Sequence, residues 1–384
     1  MGAKRKRRAR LLISLVVLLL AAAVFGGVYL AVSLPVLMKG SQTGVIGSGL
    51  AGGAPAAPTG KPVDRTPYLA IGMDKLKAGQ IADAAKAFES ATQLDPQNAD
   101  AYTQWTRALT LLHRTVQAVS AGQRAVDLAP SNSMALANLA QAYDWNGDYD
   151  KAIQIAQKAV SIDSKNAAAQ AFLAEAYADK TEWDLALTAG RRAVQIDDNS
   201  IEAHRTLGYV LEKQAAYNEA IKEYQRAIEL GPNLGYLYLD LGAVYRGQRR
   251  DADAIATFQK EIEIQPDEPR GYSGLGLVYY NQGTYPQAID LFQKALLADP
   301  QYSPPLEYLG WSYYVQKDYA NAATYFEKAA AVTPGDATRQ AALGWSLYNL
   351  QRYGEARAAF QKAAQLDPGL DLAKQGLAAT QGKE

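Results

Sequence analysis

The chain has 384 residues, no cysteine and only two histidines, His113 and His204. The lack of cysteine excludes disulfides, thiolate metal sites, thiol catalysis and a lipid-modified cysteine, and two histidines so far apart do not indicate a metal centre or a catalytic triad. The 39 basic residues balance the 39 acidic ones, but the first 60 residues carry seven basic and no acidic side chains, so the remaining body is mildly acidic and argues against a nucleic-acid-binding surface.

The N-terminus has the pattern of a membrane anchor. Residues 1–10 are strongly basic, and residues 11–38 contain no charged side chain. A helix over this second segment would be about 42 Å long, enough to cross a hydrocarbon core of about 30 Å. The basic cluster places the N-terminus in the cytoplasm and the body outside, in a periplasm or on a cell surface. The small residues 21–23 also fit a signal-peptide cleavage site, so a cleaved leader is the alternative.

The predicted membrane helix also has a face suited to helix pairing. Ala23, Gly27 and Ala31 recur every four residues, and small residues at this spacing let two membrane helices approach closely. This pattern predicts a homodimer through the anchor.

The following residues, 39–64, are rich in Gly, Ala, Pro, Ser and Thr and predict a flexible tether.

Beyond the tether, a landmark residue recurs every 34 positions. It is Pro96, Pro130, Pro232, Pro266, Pro300, Pro334 and Pro368, with Ser164 and Asp198 at the two remaining points. Counting this residue as position 32 defines nine units without an insertion. Their bounds are 65–98, 99–132, 133–166, 167–200, 201–234, 235–268, 269–302, 303–336 and 337–370. An unbroken period of this length is typical of a stacked array of helical pairs.

Two positions in the units favour close packing of helices. Position 20 is alanine in all nine units, and position 8 is glycine or alanine in all except the second, which has Thr106. Large apolar residues recur at positions 7 and 11, so positions 4, 7, 8 and 11 form one helical stripe. This stripe predicts that the first helix of each unit packs against the second.

Over residues 65–370 this pattern resembles the tetratricopeptide repeat. The resemblance implies an all-α fold, a right-handed α-solenoid of nine helix-turn-helix units, with a capping helix and tail at 371–384. With the N-terminal anchor, the chain resembles a membrane-anchored bacterial-type member. Position 24, aromatic in the other units, is Gly122, Ala156 and Gly190 in units two to four, which predicts looser packing in that part of the array.

Positions 2, 5, 9 and 12 of the first helices form a second stripe, which we predict to line a concave groove. In units six to nine this stripe is aromatic, with arginines nearby. The candidate binding residues are Tyr236, Tyr280, Trp311, Tyr314, Trp345, Tyr348, Arg246 and Arg270. Tyrosine at position 12 favours a packing role, whereas tryptophan at position 9 fits binding and packing equally well.

The sequence therefore predicts a non-catalytic, membrane-tethered scaffold that binds a peptide or helical segment of a protein partner in its groove. The alternative is binding of a cell-wall or exopolysaccharide glycan, because flat aromatic rings stack on sugar faces. We predict no enzyme, cofactor or metal site. The segment 47–52 matches a dinucleotide fingerprint, but it lies inside the tether, after the membrane helix and before a proline-rich stretch. The segment 271–275 lacks the second glycine of a nucleophile elbow.

Overall fold

The computed structural model describes residues 66–383, and these residues form nineteen α-helices. The first helices of the nine units are α1 (Thr66–Lys77), α3 (Ala99–Leu111), α5 (Ser133–Trp145), α7 (Ala167–Asp179), α9 (Ile201–Lys213), α11 (Gly235–Gly247), α13 (Pro269–Asn281), α15 (Pro305–Val315) and α17 (Ala337–Asn349). The second helices are α2 (Ile81–Leu94), α4 (Thr115–Leu128), α6 (Tyr149–Ile162), α8 (Trp183–Ile196), α10 (Tyr217–Leu230), α12 (Asp251–Ile264), α14 (Tyr285–Ala298), α16 (Tyr319–Val332) and α18 (Tyr353–Leu366). A final helix, α19, spans Asp371–Thr380.

Each helix packs against its neighbours along the chain, which confirms the prediction of an all-α solenoid for this part of the protein. None of the helices between residues 66 and 383 is both long enough and apolar enough to cross a bilayer. The predicted cytoplasmic terminus at 1–10, the anchor at 11–38 and the tether at 39–64 lie outside the described residues.

The helix boundaries follow from local chemistry at two positions of the repeat. In most units position 34 places a polar side chain before the next first helix, as in Asn98, whose side-chain oxygen accepts a hydrogen bond from the Ala101 N–H at 3.0 Å. Position 15 lies between the two helices in the left-handed region. It is glycine in three units and His113, Thr181, Ala215, Arg249, Lys317 and Gln351 in the others, with φ between 56° and 85°. The tight turn therefore requires a left-handed residue but not specifically glycine.

The core of each unit lies where the two helices cross. The alanines at position 20 are fully buried, and in six units an aromatic ring at position 24 packs on a glycine at position 8. A Cβ added to Gly310 would lie 2.7 Å from the Phe326 ring, so the glycine is the space into which the ring fits.

Units two to four fill the same space differently. A Cβ added to Gly122 would lie 2.9 Å from the Leu139 side chain and 3.1 Å from Thr106, and one added to Gly190 would lie 3.3 Å from Leu207. A leucine of the next unit and a larger residue at position 8 occupy the place of the missing ring. The looser packing that the sequence predicts is therefore not found at Gly122 or Gly190. The prediction considered each unit by itself, whereas a leucine of the next unit fills the space.

The first helices of units two to five pack closely against one another, whereas those of units six to nine are farther apart. Small buried side chains at positions 3 and 5 explain the close approach. In units two to five these positions hold Ala101, Thr103, Ala135, Ala137, Ala169, Ala171 and Ala203, with Arg205 as the one large side chain. In units six to nine they hold Leu237, Leu239, Pro305, Glu307 and Arg339 together with the small Gly271, Ser273 and Ala341. Small residues on the concave side let the array curve more tightly in its first half.

Candidate partner-binding groove

The concave face of units two to six is filled by its own side chains. Arg205 lies at its centre, forming ion pairs with Asp240 at 2.7 Å and Glu175 at 3.3 Å. Its guanidinium also lies over the rings of Trp145 and Tyr236, at 5.4 and 5.7 Å from their centroids. Arg205 is in unit five, and these partners belong to units three, four and six. Arg205 therefore ties together four units across the concave face.

A second ion pair crosses the same space, because Arg107 of α3 contacts Glu202 of α9. Trp145 donates a hydrogen bond from its indole nitrogen to Glu175 at 3.1 Å. Tyr236 is buried within this arrangement, and burial raises its pKa to about 12. Since Tyr236 faces these side chains, it is not available to a partner in this conformation.

The first unit contacts the end of unit five and unit six. The turn between α1 and α2 approaches the chain just before α11 so closely that a Cβ on Gly79 would lie 1.9 Å from the Asn233 carbonyl oxygen. The Gln265 side chain donates a hydrogen bond to the Gly79 carbonyl at 2.9 Å. Leu76 and Leu234 belong to one apolar cluster at this junction. These contacts join residues more than 150 positions apart, so units one to six form a closed curve.

A histidine and an arginine make a further closing contact. Arg270 donates a hydrogen bond to His113 Nε2 at 2.7 Å, which requires this nitrogen to be unprotonated. Although His113 is exposed as a residue, its ring stacks on Trp145 with 4.9 Å between centroids. Burial of the ring and the Arg270 charge lower the His113 pKa to about 4. Arg270 is also bound by Glu268, at 2.8 Å, so this predicted groove residue already has partners.

Two buried carboxyl groups lack hydrogen-bond partners among residues 66–383. Asp144 is 2% exposed, and burial, followed by the nearby Glu175 and Asp179, raises its pKa well above the ordinary value. No group of His, Asp or Glu side chains in this part of the chain has the arrangement needed to hold a metal ion. Burial therefore disfavours the ionised form of Asp144 in this part of the array.

Glu261 is the second of these carboxyl groups. Position 27 is a buried alanine in the other eight units. Gly271 leaves room for the larger side chain, because a Cβ there would lie 1.6 Å from Glu261 Oε2. Burial and then Glu268 raise the Glu261 pKa to about 8, with Arg270 opposing them. The side chain is therefore mostly neutral at pH 7.

The face formed by units seven to nine is different, because its aromatic side chains are half-buried and remain partly accessible. Trp311 packs edge-on against Phe326 at 5.0 Å between centroids, and Trp345 packs against Phe360 at 5.3 Å. The Trp345 indole N–H donates to the Leu372 carbonyl at 3.3 Å. Among the described residues the Trp311 N–H has no hydrogen-bond partner. Both rings contribute to packing, and both side chains remain partly accessible.

The tyrosines at position 12 pack against a second tyrosine of their own unit, at the start of the second helix. The ring pairs are Tyr280–Tyr285, Tyr314–Tyr319 and Tyr348–Tyr353, with centroids 5.4 to 5.7 Å apart. The Tyr314 hydroxyl accepts a hydrogen bond from Asn349 at 3.1 Å. A packing role is thus evident for all three, and the half-buried rings still border the groove.

Sequence reasoning placed the eight candidate residues on one stripe but did not foresee the closure. The ion pairs of Arg107 and Arg205 join units that are far apart in sequence, and no local pattern indicates such a contact. Glu261 could have been found, since it is the one exception at a position otherwise occupied by alanine.

Two clefts lie away from the groove, between the second helices of neighbouring units. One, of about 490 Å³, is lined by residues that include Tyr102, Trp105 and Arg114. The other, of about 550 Å³, lies in units eight and nine and includes Leu347 and Arg352. Neither contains any of the eight predicted binding residues.

Stacked helical hairpins around a continuous curved face define the class of this protein, an α-solenoid of the kind that serves as an interaction scaffold. A tetratricopeptide repeat model matches residues 69–114, 205–269, 239–303 and 308–371, more than half of the chain, and a second tetratricopeptide repeat model matches 109–174. The chain therefore belongs to the tetratricopeptide repeat family. A model of anaphase-promoting complex, cyclosome, subunit 3 matches residues 145–227.

One solved structure shows the same fold, and two others match part of the chain. The crystal structure of the APC/C hetero-tetramer Cut9–Hcn1 is 17% identical over 78% of this chain and 59% of that chain, with a TM-score of 0.61. MamA is 29% identical over 42% of this chain and 95% of its own, with a TM-score of 0.36. PilF of Pseudomonas aeruginosa is 24% identical over 53% of this chain and 93% of its own, with a TM-score of 0.46. No curated protein matches the sequence.

Proposed function

We propose that this protein is a non-catalytic, membrane-tethered scaffold that captures a segment of another protein on the concave face of units seven to nine, with Arg246 of unit six at its edge. The observation that carries this proposal is the contrast between the two halves of the groove. Arg205 and its partners occupy the concave face of the first half, whereas Trp311, Trp345 and the tyrosines of the second half remain partly accessible.

Partly exposed aromatic side chains on rigid helices suit the recognition of an extended or helical protein segment. Tyrosine and tryptophan provide large contact areas and lose little conformational entropy, and interfaces are enriched in both. The packing of Trp311 on Phe326 and of Trp345 on Phe360 supports the proposal, because it fixes the orientation of both indoles before a partner arrives.

The membrane tether rests on the uncharged segment 11–38 and the basic residues before it. The proposed topology places the N-terminus in the cytoplasm and the solenoid outside. Protease treatment of intact cells tests this, because an outside solenoid is digested while the cytoplasmic side is protected. A protected solenoid would overturn the proposed location.

Proximity labelling from the full-length chain in its own cell tests the scaffold function. We expect specific protein neighbours whose labelling falls in Trp311→Ala and Trp345→Ala variants but not in a Leu297→Ala variant. Leu297 is an exposed apolar residue on a second helix, outside the groove. Neighbours that are the same for all variants would contradict the use of this groove.

Glycan binding is the second candidate, and one observation favours it: the Trp311 ring is partly accessible and its indole N–H lacks a partner among the described residues. A sugar could contact the accessible part of the ring, and one of its oxygens could accept the hydrogen bond from the indole N–H. A glycan array distinguishes the two candidates, because saccharide binding that is lost in Trp311→Ala would support the glycan candidate over the protein partner.

A further inference from the structure

Arg246 differs from the other arginines on the first helices. There are five such arginines in the described units, and four of them form ion pairs: Arg107 with Glu202, Arg205 with Asp240 and Glu175, Arg270 with Glu268, and Arg339 with Glu307 and Asp336. Arg246 has no ion pair and no side-chain hydrogen bond with any residue of 66–383, and its Nε is buried. A partly buried cation without an ion-pair partner destabilises the fold, and a bound anion can offset this cost.

The side chains around Arg246 include one acidic residue, Glu212, which is not within ion-pair distance of the guanidinium. The nearby side chains are Tyr308, Glu212 and Tyr302, and Glu212 instead accepts a hydrogen bond from Tyr224 at 3.0 Å. Tyr308 lies 5.3 Å from Tyr280 between ring centroids. The hydroxyl groups of these two tyrosines have no hydrogen-bond partner within the described part of the chain. Arg246 therefore lies near Tyr308, and the Tyr308 ring in turn contacts the ring of Tyr280, so the three side chains form a continuous row on the groove.

We propose that Arg246, with Tyr280 and Tyr308, binds a carboxylate of the partner protein, an aspartate or glutamate side chain within the captured segment. This inference rests on the proposed function and specifies the chemistry of the partner. A guanidinium binds a carboxylate with two parallel hydrogen bonds, and tyrosine hydroxyls can donate to the remaining lone pairs. Burial lowers the Arg246 pKa, as expected for a charge that lacks its partner.

The site lies where the two halves of the molecule meet. Arg246 is in α11, the first helix of unit six, where the closed curve ends. Tyr280 and Tyr308 are in α13 and α15, the first helices of units seven and eight. A carboxylate bound here would fix one end of a segment whose apolar side chains then lie along Trp311 and Trp345. Acidic peptides, rather than neutral or basic ones, are therefore the expected ligands.

The binding test uses the full-length chain and an array of 12-residue peptides in three matched series, with acidic, neutral or basic residues at the same places. We expect the wild-type protein to prefer the acidic series, and Arg246→Met to weaken binding of the best acidic peptides by about tenfold or more. Arg192→Met, an exposed change on α8 outside the groove, should leave binding unchanged.

Stability provides a second readout that needs no peptide. Arg246→Met should raise the melting temperature, because it removes an unpaired charge, and sodium acetate should stabilise the wild-type protein more than sodium chloride at the same ionic strength. The acetate effect should vanish in Arg246→Met. An equal acetate effect in both proteins would overturn the inference.

The outcomes separate this inference from the proposed function. Peptide binding that ignores charge, or that Arg246→Met does not weaken, would overturn the role of Arg246 and leave the scaffold function in place. Binding of alginate or polygalacturonate without binding of acidic peptides would overturn the inference of a protein ligand. Absence of all peptide binding would overturn the proposed function and this inference with it.

Discussion

Units two to five and units seven to nine share one repeat but use the concave face in opposite ways. In the first group, alanines at positions 3 and 5 bring the first helices together, and ion pairs such as Arg107–Glu202 cross the interior. In the second group the first helices lie farther apart, and aromatic rings line the face. The framework positions of a repeat set the fold, whereas the side chains on its concave stripe determine whether the face is closed or available.

The largest expected effect concerns the aromatic packing of the second half. Phe326→Ala should destabilise units eight and nine by about 3 to 5 kcal/mol, because it removes a fully buried ring. Adding Gly310→Ala should restore part of the loss, because the pair then resembles Ala140 and Ala156 of unit three. Hydrogen exchange within α15 to α18 measures both changes. A loss below about 1 kcal/mol for the single change would show that the ring is not required for packing.

The buried acid at the junction of the two groups should have the next largest effect. Folding raises the Glu261 pKa to about 8, so between pH 4.5 and 8 the folded protein retains a proton that the unfolded chain releases. Stability therefore falls as pH rises through this range. Glu261→Ala should stabilise the protein by about 1 to 4 kcal/mol at pH 8 and by little at pH 4.5, as denaturant titrations can measure.

Glu263→Ala is the matched control for Glu261→Ala, because Glu263 lies on the same helix but is exposed. It should change stability by less than about 0.5 kcal/mol at either pH. A stabilisation by Glu261→Ala that does not depend on pH would contradict the proposed ionisation of Glu261.

Closure of units one to six is tested at the turn of unit one. Gly79→Ala should cost about 1 to 3 kcal/mol, because the new methyl group would meet the Asn233 carbonyl oxygen. Gly283→Ala is the matched control, with the same φ of +76° and no atom within 4 Å of the added Cβ. Ala215 adopts the left-handed conformation at this position, which shows that alanine is tolerated there. Equal costs in thermal unfolding would show that the closure adds no stability.

The smallest effect is the acid sensitivity of the contact between His113 and Arg270. The His113 pKa is lowered to about 4, so this contact stabilises the closed form above about pH 6.5 and is lost as the pH falls toward 4. His113→Gln can accept the same hydrogen bond but does not titrate. The fluorescence of Trp145, which stacks on residue 113, should therefore change less on acidification in this variant than in the wild-type protein. Identical pH profiles would exclude a role for His113.

Much of the fold could be predicted from the sequence, because the 34-residue register repeats local chemistry. Position 20 alanines, position 8 glycines and the position 34 caps each act within one unit or between neighbours. The closure could not be predicted in this way. The contact of Gly79 with Asn233 depends on how curvature accumulates over five units, and small changes at positions such as Ala137 and Leu239 determine it.

The candidate site was predicted in part, for the same physical reason. The stripe at positions 9 and 12 follows from helical geometry, and it includes Trp311 and Tyr280, which are half-buried in the structure. It also included Tyr236, which the closed curve buries beneath Arg205. The unpaired state of Arg246 depends on the absence of a carboxylate within reach, and sequence spacing does not report this.

Cysteine accessibility tests the contrast between the two groups most directly, because the chain has no native cysteine. Gln141 and Leu277 occupy position 9 in units three and seven, and they are buried and half-buried respectively. In single-cysteine variants of the full-length chain, maleimide should label Gln141→Cys much more slowly than Leu277→Cys, and guanidinium chloride should abolish the difference. Equal labelling rates in the folded protein would contradict a first half that is closed and a second half that is open.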